Sequence, residues 1–344
     1  NGGTENAFTS YDYTAYYQIV PSDKIEKILE MEADRMKNLV LLREQVKVEK
    51  NVILEERNQR IDSSPSSVLD ESMRKSLFPN HTYGTPIIGW KHEIENLRYE
   101  DVFDFYNKFY DPSNAILVLS GDIKLKNAKK LSEKYFGKIK SRKVDQVRDY
   151  LLDPPLKTKI EVRHKHPNVK QKIWKKLYKT ISLTESINSG LALDIGLEII
   201  AGGKTSVLYQ ELVNNRKTFA AVGGYYQGLT KGPGTIYFYA IPNKEISADV
   251  IETQINDVLF KAIENGVSED DFNRKKKQYY CNFIYQQDGI GRPAQIIGEA
   301  LSVGIKLEEL ENWDKKINEL TLDQVNKALK DFLNNKNYVT GILE

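Results

Sequence analysis

The chain has 344 residues, enough for two domains of ordinary size, and its 40% apolar and 28% charged composition is that of a globular protein with buried cores. Fifty basic and 48 acidic side chains leave a formal charge of only +2, so no global field draws the chain to nucleic acid or anionic lipid. Apolar runs such as Ala115 to Leu119 fall far short of the roughly 18 to 20 residues a bilayer helix needs, so no membrane span is expected.

The opening residues, Asn1-Gly-Gly-Thr-Glu-Asn-Ala7, have neither the charged start nor the apolar stretch of a signal peptide and read like the inside of a domain. Phe8 to Val20 alternates aromatic and polar residues, which suits a strand pair. Ser22 is placed to cap a helix whose apolar positions Ile25, Ile28, Leu29, Met36 and Leu39 follow helical spacing. A second helix is expected from about Glu44 to Ile61, broken by Ser63-Ser-Pro-Ser-Ser. After a loop come a helix from Leu97 and a buried strand, Ala115-Ile-Leu-Val-Leu-Ser-Gly. Asp153-Pro154-Pro155 reads as a linker. Beyond it, strands are expected near Ala220 to Tyr226 and Thr235 to Ile241, with helices near Ser247 to Asn265 and Glu269 to Gln287. The run Lys275, Lys276, Lys277 on the last of these is expected to be a solvated helix face.

Two distant segments share one pattern. Val102 and Val325, Phe109 and Phe332, and Asn114 and Asn337 are each separated by 223 residues, and in each copy a helix ends in a turn that leads to an apolar run. At that spacing residue 1 stands opposite about residue 224. Roughly 70 residues of the second copy then lack a counterpart, among them an opening strand and helix. The expected fold is α+β: two homologous α/β sandwich units, each a mixed sheet covered by helices, over residues 1–150 and 151–344, the first without its front.

Along the second helix, Glu49 and Glu56 are seven residues apart and fall within roughly 20° of each other, so both can point at one site. The plainer alternative is a charged, solvated helix with Glu56 and Arg60 as an i,i+4 ion pair. None of the four histidines, His81, His92, His164 and His166, belongs to an H-x-x-E-H motif. His81 reads as a loop hydrogen-bonding residue. His164 and His166 read as a solvated strand end. The lone cysteine, Cys281, rules out an internal disulfide and a cysteine metal cage, and it leaves bacterial periplasm and cytoplasm both open.

Glu49-Lys-Asn-Val-Ile-Leu-Glu-Glu56-Arg resembles the E-R-x-V-x-x-x-E stretch with which pitrilysin- and insulinase-like (inverted-zincin) metallopeptidases, including their bacterial processing-peptidase-like members, supply a third zinc ligand. Three further stretches are similar to the same family in the expected order. Asn6-Ala7-Phe8-Thr9 to Tyr16 resembles its N-A-x-T strand, His81-Thr-Tyr-Gly-Thr-Pro86 with Gly89-Trp90 its H-P-Y-G-x-P loop, and Gly202-Gly203-Lys-Thr-Ser206-Val-Leu208 its G-G-x-S-S-x-L turn.

The resemblance implies a processing-peptidase-like fold and a Zn2+ held by two upstream histidines and Glu56, with Glu49 supporting the site electrostatically. It also implies an extended peptide substrate lying along Asn6, Ala7, Phe8 and Thr9 by main-chain hydrogen bonds. Family members often add an Arg and a Tyr, seven residues apart, to stabilise the tetrahedral intermediate. Here Asn214 and Ala221 occupy those places, so a homo- or heterodimer is expected in which the other subunit donates the pair. Without H-x-x-E-H these residues alone are expected neither to hold zinc usefully nor to cleave peptides. The alternative is a non-catalytic docking subunit of the same fold.

Overall fold

The computed structural model describes residues 2–142, 144 and 151–344. In chain order the first part holds β1 (Thr4–Thr9), β2 (Thr14–Ile19), α1 (Ile25–Asn38), α2 (Arg43–Arg57), α3 (Pro65–Leu77), α4 (Lys91–Asn96), α5 (Tyr99–Phe109) and α6 (Leu125–Tyr135). The second part begins with β3 (Ile160–His164), β4 (Ile173–Thr180), α7 (Ile187–Ile200), α8 (Val207–Tyr209), β5 (Phe219–Gln227) and β6 (Gly234–Pro242). It closes with α9 (Ala248–Glu264), α10 (Glu269–Gln286), α11 (Arg292–Val303), α12 (Leu307–Glu311), α13 (Trp313–Glu319), α14 (Leu322–Leu333) and β7 (Tyr338–Leu343).

These elements form two compact units that do not simply follow chain order. Unit 1 comprises Asn1–Asn58, Ile87–Asp149 and Tyr285–Ser302; unit 2 comprises Gln59–Pro86, Tyr150–Ile284 and Val303–Glu344. Each half of the chain thus contributes one stretch to the unit built mainly from the other. The expected boundary at residues 150 and 151 falls at the edge of a segment outside the described residues.

Unit 2 is built on a five-stranded mixed sheet of order β3-β7-β4-β6-β5, parallel only between β3 and β7. Its core gathers Trp174, Ile195, Phe219, Phe238, Ile251 and Leu329, all at 1% exposure or less. Helix α7 is apolar nearly all round, as a helix enclosed by its neighbours must be. Side-chain caps start its helices: Ser186 for α7, Ser247 for α9, and Thr321 with Gln324 as a capping box for α14. Helix α3 packs on β3, β4 and β7, where Met73 lies so close to Gly341 that any Cβ there would collide with its sulfur.

Unit 1 is leaner in strands. Among the described residues its sheet is the antiparallel pair β1-β2, with Asn6 opposite Tyr17 and Ala7 opposite Tyr16. Among the described residues Leu29, Ala33, Ile94, Tyr106 and Ala300 are its buried apolar residues.

Four expectations are corrected. Ala115 to Gly121 forms no strand, and Ile116 and Leu117 are nearly half exposed. Its repeat counterpart β7 is a strand because β3 and β4 flank it, and neither has a counterpart 223 residues earlier within this sequence. Ser22 caps nothing; the chain enters α1 through a short 3-10 turn in which the Lys24 N–H bonds the Pro21 carbonyl. The stretch after Ser63-Ser-Pro, read as a loop, is helix α3, whose Ser64 hydroxyl accepts from the Ser67 N–H. Lys275 is buried rather than solvated, and Lys276 binds the carbonyl oxygens of Asn318 and Leu320.

Candidate functional site

Helix α2 carries the two carboxylates singled out by spacing. Its first turn is fastened by the Leu42 N–H on Gln45 Oε1 and by Arg43, which pairs with Glu100 at 2.6 Å and lies over the Tyr99 ring. Midway, Lys50 Nζ reaches the carbonyl oxygen of Glu95 at 3.1 Å. At its end Arg57, only 4% exposed, donates to the Gly89 carbonyl, and the helix then widens into a π turn, Asn58–Asp62. Glu49 is exposed and Glu56 partly buried, with Val48 and Val52 exposed beside them.

Asn6, Ala7, Phe8 and Thr9 all lie in β1. Asn6, Ala7 and Thr9 are exposed, and Phe8 is partly buried against Tyr13 in an edge-to-face contact. β1 has β2 on one side and, among the described residues, no paired strand on the other. The Ala7 N–H is taken by Asn6 Oδ1 at 2.8 Å rather than by β2. The hairpin is pinned through β2, where Tyr16 bonds the Tyr110 hydroxyl at 2.5 Å and sits under the Arg35 guanidinium. The carboxylates and the strand therefore belong to the same compact unit.

Zinc needs several convergent donors. Among the described residues no group of three or more His, Cys, Asp or Glu lies close enough together to hold a metal ion, so they do not fit a zinc site unaided. His81 is buried, and its Nδ1 accepts from the Tyr83 N–H at 3.0 Å. The loop it begins is locked: the Tyr83 hydroxyl accepts from the Gly232 N–H, Arg74 donates to the Tyr83 carbonyl, and Asp153 receives the N–H groups of Asn80 and His81. His164 and His166 lie at the end of β3 with ring centroids 5.9 Å apart. Asn214 is exposed in a π turn, Ala221 sits at the irregularity of β5, and Arg216 is held by Glu211 at 2.7 Å.

The sequence reading passed over two polar constellations, both in unit 2. Lys175, buried on β4, is held by Ser66 Oγ at 2.6 Å and by both oxygens of Asp70, which also accepts from Tyr237. Asp194 and Glu198 of α7 meet Tyr279 and Lys275 of α10. Moving Glu56 forward by the 223-residue repeat lands on Tyr279, the signal by which the second could have been found.

The chain matches two family models, that of insulinase (peptidase family M16) over residues 1–91 and that of the peptidase M16 inactive domain over residues 96–279. It is 23% identical over 344 residues to the zinc protease PqqE of Helicobacter pylori, spanning 100% of this chain and 77% of that protein. It is 22% identical to the mitochondrial-processing peptidase subunit beta of Dictyostelium discoideum, over 96% of this chain and 71% of that protein. The crystal structure of a protease from Helicobacter pylori superposes with a TM-score of 0.91 at 23% identity, covering 100% of this chain and 82% of that one. The two models, which between them take in residues 1–91 and 96–279 of this α+β chain, define the class: the chain belongs to peptidase family M16, the insulinase family of zinc metallopeptidases. No helix among the described residues is long and apolar enough to cross a membrane.

Proposed function

We propose that this chain is the peptide-receiving part of a zinc endopeptidase subunit acting on extended peptides or small unfolded proteins, to which it contributes Glu56 as metal ligand and Glu49 as a supporting carboxylate. The observation that carries this reading is the open edge of β1. An N–H held by its neighbour's side chain, as Ala7 is by Asn6, becomes available to an incoming strand by exchange of one hydrogen bond for another. The rest of the ladder gives affinity with little sequence preference. The 344 residues contain no H-x-x-E-H, so hydrolysis is assigned only where such a segment joins them. With Asn214 and Ala221 where an Arg and a Tyr would stand, the active form is a homo- or heterodimer whose second subunit supplies that pair.

The test is binding of a fluorescein-labelled unstructured peptide, read by anisotropy. Ala7→Pro removes the N–H on an edge where proline does not disturb the β2 ladder, and should weaken binding tenfold or more. Glu56→Gln should leave peptide affinity unchanged. Equal affinity of wild type and Ala7→Pro would overturn the assignment of β1, and zinc-dependent cleavage by these residues alone would overturn that of the metal site.

A further inference from the structure

The 223-residue repeat places Phe272 where unit 1 has Glu49 and Tyr279 where it has Glu56. The helix that carries them, α10, faces α7 in unit 2. The Tyr279 hydroxyl donates to Asp194 Oδ2 at 2.8 Å, and Lys275 Nζ lies 3.4 Å from Glu198 Oε2. From one rung to the other each helix steps four residues, in opposite directions, so the contacts form an antiparallel two-rung ladder. Lys275 is 7% exposed at its side chain, whereas Glu198 is 42% exposed and reaches water.

The turn that follows α7 fits this ladder. A Cβ on Gly202 would stand 2.5 Å from Glu198 Oε2, and Gly203 takes φ +73°. Gly202 is thereby explained as the space that the lower rung occupies, and Gly203 by the left-handed backbone of the turn.

We propose that this ladder is a proton-binding clamp joining α7 to α10, standing in unit 2 where the repeat would otherwise place a metal-ligand carboxylate. The group that takes up the proton is Asp194. The charged or titratable groups acting on it are Tyr279 of α10 and Glu198 of its own helix, with Lys275 of α10 behind Glu198. Tyr226 of β5 feels Asp194 but gives its hydroxyl hydrogen to the Ile181 carbonyl. Helix α14 meets α7 through Leu329 on Gly196, and among the described residues neither α14 nor α8 places a charge that acts on Asp194. Burial pushes the Asp194 carboxyl up to about 6; the Tyr279 hydrogen bond opposes the rise and the Glu198 charge adds to it.

The experiment is pH-difference infrared spectroscopy of the whole chain, following the C=O stretch of the protonated carboxyl between pH 4.5 and 8. Wild type should show a band that disappears with a midpoint near 6 and is missing in Asp194→Asn. Tyr279→Phe removes a bond to the ionised form and should move the midpoint up. Glu198→Gln removes a neighbouring negative charge and should move it down. These opposite shifts distinguish proton binding from a merely structural contact. Should Asp194→Asn fail to fold, the other two variants still decide. A midpoint below 5 in wild type, or shifts of the same sign in Tyr279→Phe and Glu198→Gln, would overturn the proposal.

Discussion

Arg57, the residue after Glu56, donates from Nη1 to the carbonyl oxygen of Gly89 at 2.8 Å, so the end of α2 is fastened to a chain segment 32 residues away. Gly89 is at φ +88°, a conformation that favours glycine, and turns its carbonyl into the path of the guanidinium. The contact anchors the helix end on which Glu56 stands. Arg57→Ala removes the donor from a buried site and should cost unit 1 about 1–3 kcal/mol. Urea denaturation followed by the tyrosine signal measures it, and an unchanged midpoint would mean that α2 is held by its other contacts alone.

Gly84 poses a steric question. A Cβ there would lie 2.1 Å from the Phe78 carbonyl oxygen, which is backbone and cannot step aside. Gly84→Ala should therefore displace Tyr83 and the His81 loop, at a cost above about 2 kcal/mol. Gly203→Ala meets open space and strains only its φ of +73°, so about 1 kcal/mol is expected. Melting temperatures of the two variants should fall in that order.

Much of this is legible in the sequence. The pairing of Val102 with Val325 and of Phe109 with Phe332 anticipated α5 and α14, which the fold renders as near-equal helices at the same spacing. The same pairing failed one step later. Ala115-Ile-Leu-Val-Leu and Tyr338-Val-Thr-Gly-Ile-Leu are alike as apolar runs, yet a strand is made by its ladder partners, and a run of residues does not disclose whether it has any. Lys275 was illegible for a related reason. A lysine run predicts a wet face, and only the tertiary approach of Glu198 turns one member inward. Helix α3 is readable in the sequence: Ser64-Pro65 is a cap and first-turn pair, and Leu69, Met73 and Leu77 recur at helical spacing.

The Lys175 cluster should be sensitive to loss of its cation. Burying an ammonium is tolerable only with full compensation, which Ser66 and Asp70 supply. Breaking a fully buried pair costs roughly 3–5 kcal/mol, but Asp70 is 43% exposed and can be rehydrated, so about 1–3 kcal/mol is the better expectation for Lys175→Met. Tyr237 would keep its bond to Asp70. A variant as stable as wild type would show that methionine packing against α3 replaces what the ion pair gave.

Asp111 should set the acid limit of unit 1. Its side chain is 1% exposed, and burial alone would raise its carboxyl; instead the N–H groups of Arg142 and Ser113, with the hydroxyls of Ser113 and Ser141, hold it well below the usual carboxylate range. A carboxylate whose pKa is lower in the folded than in the unfolded state stabilises above the unfolded value, near 3.8, and loses that stabilisation as pH falls toward the folded value. Unit 1 should therefore weaken progressively below about pH 4. Asp111→Asn keeps the size but gives up the charge and one acceptor, so it should be less stable than wild type at neutral pH and should have lost part of the acid sensitivity. Melting curves from pH 7 to 3 read both effects; parallel profiles for the two proteins would show that another carboxylate governs acid unfolding.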